Sequence, residues 1–462
     1  MTLRIETDSL GDIQVPAGAL YGSNTARGMV NFAGMVAPLS AYPHFMRAMA
    51  LVKRAAAMAN RDVGALDADV ADAILAACDE IASGQHFDQF PTPLLEGSGG
   101  TSTNMNFNEV IANRAGQILG DAPGSYARAA PNDHVNRSQS TNDAVPTAIK
   151  LACLLAEPAL TRAVGLLIAA LRAKANETRD ILRAGRTCMQ AAQPMTYGQY
   201  WDGHASALSR ALDAARSAAG AMRSVPMGGT AIGTGLGAAT GYRAVIAPAL
   251  SQAFGQQITL AEDPFDAMQS ADGFVRLSAE LRNLSATMAK LAADLVILGS
   301  DGASGLGEVL LPAVQPGSSI MAGKVNPVIP MSVRQVWMRV HGHDATIAIA
   351  AQAGQMEINH YEPVMAASVF EQLDLITTIA DTFAVRCISG LRVDERRSYD
   401  NLARSFGVST IFLHELGYKR VAALVQRSQL ENRPLTEIAL DEGLLSADGI
   451  RAVLARAARP AE

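Results

Sequence analysis

The chain has 462 residues, of which 49% are hydrophobic and 18% charged, and 38 Lys+Arg against 44 Asp+Glu give a net charge of −6. This is ordinary for a soluble globular enzyme, and the absence of any Lys/Arg block argues against a nucleic-acid surface. Length alone suggests about three domains, or one long helical bundle flanked by smaller caps. The N-terminal stretch MTLRIETDSLGDIQVP mixes charges early and lacks the apolar core of a signal peptide. The longest clean apolar run, AVGLLIAAL at 163–171, falls short of the roughly 20 residues that span a bilayer. Cys78, Cys153, Cys188 and Cys387 share no metal-like spacing, and three of them read as small core hydrophobes on helices. Reduced thiols without an export signal point to the cytoplasm, with no membrane partner.

In chain order, GSGGTSTNMNFNEVIANRAG (97–116) sets a glycine run beside Thr101, Ser102, Thr103 and Asn104 and then enters a helix. The glycines let backbone approach a ligand, and the hydroxyls can bind a carboxylate at the helix start. PNDHVNRSQSTNDAVPTAIK (131–150) repeats the logic with Ser140, Thr141 and Asn142. A long helix follows over 141–177, which Pro158 is expected to kink or divide. GRTCMQAAQPMTYGQ (185–199) and GGTAIGTGLG (228–237) read as two more polar, glycine-punctuated turns, with an Ala-rich helix over 203–222 between them.

Between 263 and 300, Leu277, Leu281, Leu284, Met288, Leu291, Leu295 and Leu298 recur in steps of four and three. That is a heptad seam, and it calls for long neighbouring helices at a shallow angle. Strand signals are few, so the chain reads as all-α. After about residue 392 charge density rises, which suggests a small separate C-terminal domain. GSSIMAGKVNP (317–327) places Ser318, Ser319 and Lys324 in a short loop between long helical segments. Such a loop can aim several backbone N–H groups and an ammonium at one anionic centre, and those donors would favour a Ser318 alkoxide acting as a base. Five neutral-polar turns with one added lysine indicate a site for a small dianion.

GSSIMAGKVNP resembles the signature of the aspartase/fumarase superfamily, and the other segments match in the same order. The resemblance runs from LYGSNTARGMVNF (20–32) through AGQMEINHYEPVM (353–365), most of the sequence. It implies three mainly helical domains, placed at 1–140, 141–394 and 395–462. The central long-helix bundle would contribute to a twenty-helix core in a homotetramer whose active sites are each shared by three subunits. It implies elimination of a group next to a carboxylate to release fumarate from a small dicarboxylate or amino acid. No organic cofactor is expected, and no metal cluster is visible in the sequence. Ser318 would be the base. Thr101, Ser140, Thr141 and Ser319 would hold the carboxylate that becomes an enediolate. Lys324 and Asn326 would hold the other carboxylate with Thr187 nearby, Asn142 would face the leaving group, and Arg27 would assist.

Within that resemblance, NPVIP (326–330) and AGQMEINHYEPVM look like aspartase segments. Gly99 stands where fumarases tend to carry a serine, and Ala130 where they often have a histidine, so their accessory anion site is expected to be missing and His134 to be structural. Two positions depart from ordinary aspartases: Cys188, commonly His or Gln, and Met331, commonly Glu. Tyr200 and Ala191 also stand where Glu and Asp are expected. The leaving-group end of the pocket is therefore less polar. That leaves an aspartase tolerating the change, a lyase for a substituted aspartate or succinate, or a Cys188 that enters the chemistry. A class II fumarase and a non-catalytic structural relative are the remaining alternatives. His341 and His343 have no carboxylate at metal-site spacing, His360 and Tyr361 are placed near the cleft, and Glu357 and Asn359 are expected to brace the loop or a subunit contact.

Overall fold

The computed structural model describes residues 2–35, 37–405 and 407–459. In chain order they form a β1–β2 hairpin (Leu3–Asp8, Gly11–Pro16), then helices α1 (Ser23–Asn31), α2 (Pro43–Asp62), α3 (Ala68–Ala82), α4 (Thr101–Ile118) and α5 (Thr141–Glu177). A second hairpin, β3–β4 (Leu182–Thr187, Gln190–Thr196), leads into α6 (Tyr197–Gly220), α7 (Tyr242–Phe254) and α8 (Pro264–Gln269). Then come the long helices α9 (Asp272–Leu298), α10 (Val328–Gln352) and α11 (Glu362–Phe383). Five short helices close the chain, from α12 (Glu395–Ala403) to α16 (Ala447–Ala457). Two further strand pairs are only two residues long.

These elements fall into two compact units. The first takes the residues up to Leu160 with Ala214–Arg282 and Arg339–Leu375; the second takes Thr161–Asp213, Asn283–Met338 and the residues from Ile376 on. In the first, α2 starts on Pro43, whose fixed φ and missing N–H suit the first helical position. It is buried nearly all round, with Phe45, Met46, Met49 and Val52 at zero exposure, and packs on α3 and α7. The Glu109 carboxylate of α4 accepts the main-chain N–H groups of Gly22 and Asn24 (both 2.8 Å) and the Thr25 hydroxyl (2.6 Å). An anion so placed satisfies orphan donors at the start of α1. In the second unit, Leu402, Val408, Phe412, Leu424, Ile438 and Leu454 build a small core of their own.

The heptad seam is as the spacing requires: its seven residues lie on α9, none more than 3% exposed. Of the kink or division expected at Pro158, the division does not occur. Helix α5 runs unbroken from Thr141 to Glu177 with Pro146 and Pro158 inside it. A proline in a helix interior costs about 3 kcal/mol, but Leu151, Leu154, Leu160, Val164 and Leu167 around it are buried, each contributing roughly 1.5–3 kcal/mol. By length and composition α5 could also cross a membrane, yet 56% of its most apolar window is buried within the protein, as in a core helix. Cys78, Cys153 and Cys387 are buried, and burial pushes the thiols of Cys153 and Cys387 up to about 12.

Candidate active site

In the first unit, two helices start side by side. Thr101 opens α4 and Thr141 opens α5, and the Asn104 side chain donates to Thr141 Oγ1 at 3.2 Å. Gly100 makes the approach possible: its φ is +93°, and a β-carbon there would meet Val145 Cγ1 at 3.1 Å and Thr141 Cγ2 at 3.3 Å. Ser98 caps the start of α4, its main-chain and side-chain oxygens accepting the Thr101 and Ser102 N–H groups at 3.3 and 2.9 Å, so what two neighbouring helix N-termini offer an anion is their positive dipole ends and the hydroxyls around them. Gly100→Ala should cost on the order of 2–4 kcal/mol from the left-handed backbone and the overpacking combined, read as a lower urea midpoint. An unchanged midpoint would mean that the two helices part freely.

Ser140 and Asn142 complete this group. The Asn142 N–H reaches Ser140 Oγ at 3.3 Å, and its side chain donates to Ala231 O at 2.8 Å, tying the turn to the GGTAIGTGLG segment. The residue that organises both turns, Asp143, has no place in the sequence reading. One carboxylate oxygen accepts the Ser140 N–H at 2.9 Å; the other accepts the Gly228 and Thr230 N–H groups, both at 3.0 Å. Behind it Lys53, fully buried on α2, donates to Asn136 Oδ1 (3.1 Å) and Gln139 Oε1 (2.9 Å).

Burial pushes Asp143 up to about 6, opposed by its three main-chain donors and the charge of Lys53. Burial brings Lys53 down to about 7, opposed by Asp143. An acid held above its ordinary value of 3.8 gives its full stabilisation below that pH and loses it as pH rises through 6. An amine held below its ordinary value of 10.5 stabilises fully above that pH and loses this as pH falls through 7. Between pH 7 and 9 the wild-type Tm should therefore climb relative to Lys53→Met. Parallel Tm–pH curves for the two proteins would remove Lys53 from this account.

Arg27, expected to assist, is engaged elsewhere. Its guanidinium holds Asp8 at 2.8 and 2.9 Å and donates to Gly11 O at 2.9 Å, on the N-terminal hairpin. His134 is structural as expected, its Nδ1 accepting the Ala130 N–H at 3.0 Å. Asn359 does brace its loop, donating to Ala350 O and accepting the Tyr361 N–H. Gly99 has φ +66°, and a β-carbon there would lie 3.2 Å from that of His360.

In the second unit the segment read as a polar turn is the β3–β4 hairpin. Thr187 pairs with Gln190, leaving Cys188 and Met189 as the two turn residues, both at positive φ (50° and 63°). The Asn-Gly or Asp-Gly pair that usually announces such a turn is missing, which is why the pattern hid it. Cys188 is exposed at the tip. Arg186, on β3, pairs with the buried Glu308, which also accepts from Tyr197 Oη (3.2 Å) and Asn401 (2.9 Å).

The GSSIMAGKVNP loop lies in the same unit. Its neck is closed by the Gly317 N–H donating to Lys324 O (2.8 Å) and the Asn326 side chain donating to Gly317 O (2.7 Å). A β-carbon on Gly317 would sit 2.7 Å from Lys324 O, so only glycine fits. Ser318 Oγ accepts two main-chain N–H groups, from Ile320 at 3.2 Å and Met321 at 3.0 Å. Ser319 and Lys324 are exposed, and Met331, on the first turn of α10, is 47% exposed. The candidate residues thus form three groups: Thr101, Ser140, Thr141 and Asn142 in the first unit, and, on separate elements of the second, Thr187 with Cys188 and Ser318, Ser319, Lys324 with Asn326. Among the described residues, no cluster of three His, Cys, Asp or Glu could hold a metal ion.

Residues 11–342 match a family model described as a lyase. An aspartate ammonia-lyase of Pseudomonas aeruginosa is 40% identical over 443 residues, covering 96% of this chain and 94% of that protein. A class II fumarate hydratase of Thermosynechococcus vestitus is 39% identical over 448 residues, covering 96% and 95%. Among solved structures, a fumarate lyase/delta crystallin of Brucella melitensis, bound to cobalt, superposes with a TM-score of 0.96 at 39% identity, covering 99% of this chain and all of that one.

Proposed function

Since the chain belongs to the aspartase/fumarase superfamily and is a lyase, we propose that it eliminates ammonia from L-aspartate to release fumarate. Ser318 is the base. As an alkoxide it removes a proton from the carbon next to one carboxylate, whose electrons pass into that carboxylate as an enediolate. The enediolate then collapses, and the pair expels the amine from the neighbouring carbon. The single observation that carries this reading is the pair of main-chain N–H groups donated to Ser318 Oγ by Ile320 and Met321. Hydrogen bonds to the charged form favour it, and a weakly acidic C–H needs a base of that kind.

Thr101, Ser140, Thr141 and Ser319 bind the carboxylate that becomes the enediolate, where helix-end donors strengthen as charge develops. Lys324 and Asn326 bind the other carboxylate beside Thr187, and Asn142 faces the amine. The site is assembled from three chains of a cytoplasmic homotetramer. The aspartase reading is preferred over the fumarase one because Gly99 and Ala130 depart from fumarases and the segments 326–330 and 353–365 look like those of aspartases.

A second reading has its own support. Cys188 and Met331 replace polar residues, so a substituted aspartate with a bulkier amine is the alternative substrate. Ultraviolet detection of fumarate from L-aspartate, L-malate and a panel of N-substituted aspartates separates these readings. Rapid release from L-aspartate supports the plain aspartase. Turnover of L-malate alone identifies a fumarase, and turnover of a substituted aspartate alone moves the assignment to that substrate.

A further inference from the structure

Arg183 lies on β3, in the second unit, and is only 5% exposed. Its guanidinium stacks on the rings of Tyr197 (4.8 Å) and Tyr200 (4.5 Å), and its Nε and Nη1 are buried without a hydrogen-bond partner. The neighbouring carboxylates are committed to other cations. Glu308 pairs with Arg186, and Asp294 pairs with Lys290 while accepting from Tyr200 Oη at 3.2 Å and lying 3.6 Å from His204 Nε2. Stacking on aromatic faces returns only part of what a cation loses when it is stripped of water without a counter-ion. One positive charge is left uncompensated.

That charge lines a cavity of about 230 Å³. Arg183, Arg186, Lys290, Tyr200 and the Asp294 carboxylate contribute its polar side; Met195, Ile297 and Leu306 contribute its apolar side. The volume lies below the ~300–1,000 Å³ of drug-sized pockets, so the occupant is metabolite-sized. With Arg186 and Lys290 already neutralised, the net charge matches one carboxylate rather than two, and the apolar wall disfavours a small, fully polar dianion. We infer that this cavity binds a small monocarboxylate with a short aliphatic tail, the carboxylate on Arg183 and the tail against Met195, Ile297 and Leu306. Its ligand thus differs in charge from the dicarboxylates of the proposed reaction, and the inference does not depend on that reaction.

Calorimetric titration of the full-length protein with sodium hexanoate tests it, with inorganic phosphate and succinate as parallel titrants and competitors. The expected result is saturable binding of one hexanoate per chain, weakened at least tenfold in Arg183→Met. Ile297→Trp, which fills the apolar side from a partly exposed helix position and leaves Arg183 in place, should weaken it similarly. Circular dichroism and fumarate-forming activity confirm that each variant is folded. The inference is overturned by an absence of hexanoate binding, by binding that survives in a folded variant, or by succinate or phosphate displacing hexanoate at comparable concentration. Displacement by succinate would place hexanoate in the dicarboxylate site instead.

Discussion

Ser318→Ala is expected to lower kcat by roughly 10²–10⁴-fold, the range that a positioned base contributes, with little change in KM. Alanine keeps the backbone and the neck between Gly317, Lys324 and Asn326, so the substrate contacts assigned to Ser319, Lys324 and Asn326 persist. What disappears is the oxygen that accepts the Ile320 and Met321 N–H groups. Those donors then face solvent or substrate without a proton acceptor between them. A loss confined to kcat identifies an interaction made in the transition state. Because Ser318 sits in a half-exposed loop, its melting temperature should move little, since surface changes of this kind stay within about 0.5 kcal/mol. Activity retained within a few-fold would require another base, and Lys324, on the same loop, would be the first to examine.

Legibility in the sequence followed the range of the interaction that sets each feature. The α9 seam was readable because its period is local, and all seven residues are buried as the spacing demands. The starts of α4 and α5 were readable because a glycine at 100 and a serine at 140, whose hydroxyl accepts the Asn142 N–H, are local signals of a helix entry. Pro158 does not divide α5 because its cost is local, while the burial that outweighs it is spread over Leu151, Leu154, Leu160, Val164 and Leu167 along the same helix. The β3–β4 hairpin was missed because Cys188 and Met189 occupy positive-φ positions usually given to Asn and Gly. The Arg27–Asp8 ion pair was unreadable for a related reason: Asp8 sits on a hairpin that sequence pattern did not announce. Lys53 had no local signal, and the one Asp143 carries, its S-x-x-D spacing from Ser140 as in a capping box, accounts only for the Ser140 N–H bond. Their meaning lies in a buried meeting of α2, the α5 turn and the segment from Gly228 to Thr230, which only the fold assembles.

Asp143→Ala should have the largest combined effect on stability and activity. Three main-chain N–H groups lose their acceptor, and buried Lys53 loses the carboxylate whose charge favours its ammonium. Unsatisfied buried donors cost about 1–3 kcal/mol each; the three share one acceptor and overlap, so the net loss is on the order of 3–5 kcal/mol. The turn carrying Ser140, Thr141 and Asn142 loses its anchor to the GGTAIGTGLG segment, and a displacement near 1 Å can cost about 10²-fold in rate. A double variant separates the two consequences. Asp143→Asn with Lys53→Met removes both buried charges and leaves one amide oxygen as an acceptor, so much of the stability should return. In either orientation the asparagine NH₂ would face main-chain donors, the Ser140 N–H or those of Gly228 and Thr230, keeping the turn displaced and kcat/KM low. Recovery of stability without recovery of activity would establish Asp143 as a positioning residue for the helix-start group. Recovery of both would reduce it to a buried charge that the fold merely tolerates.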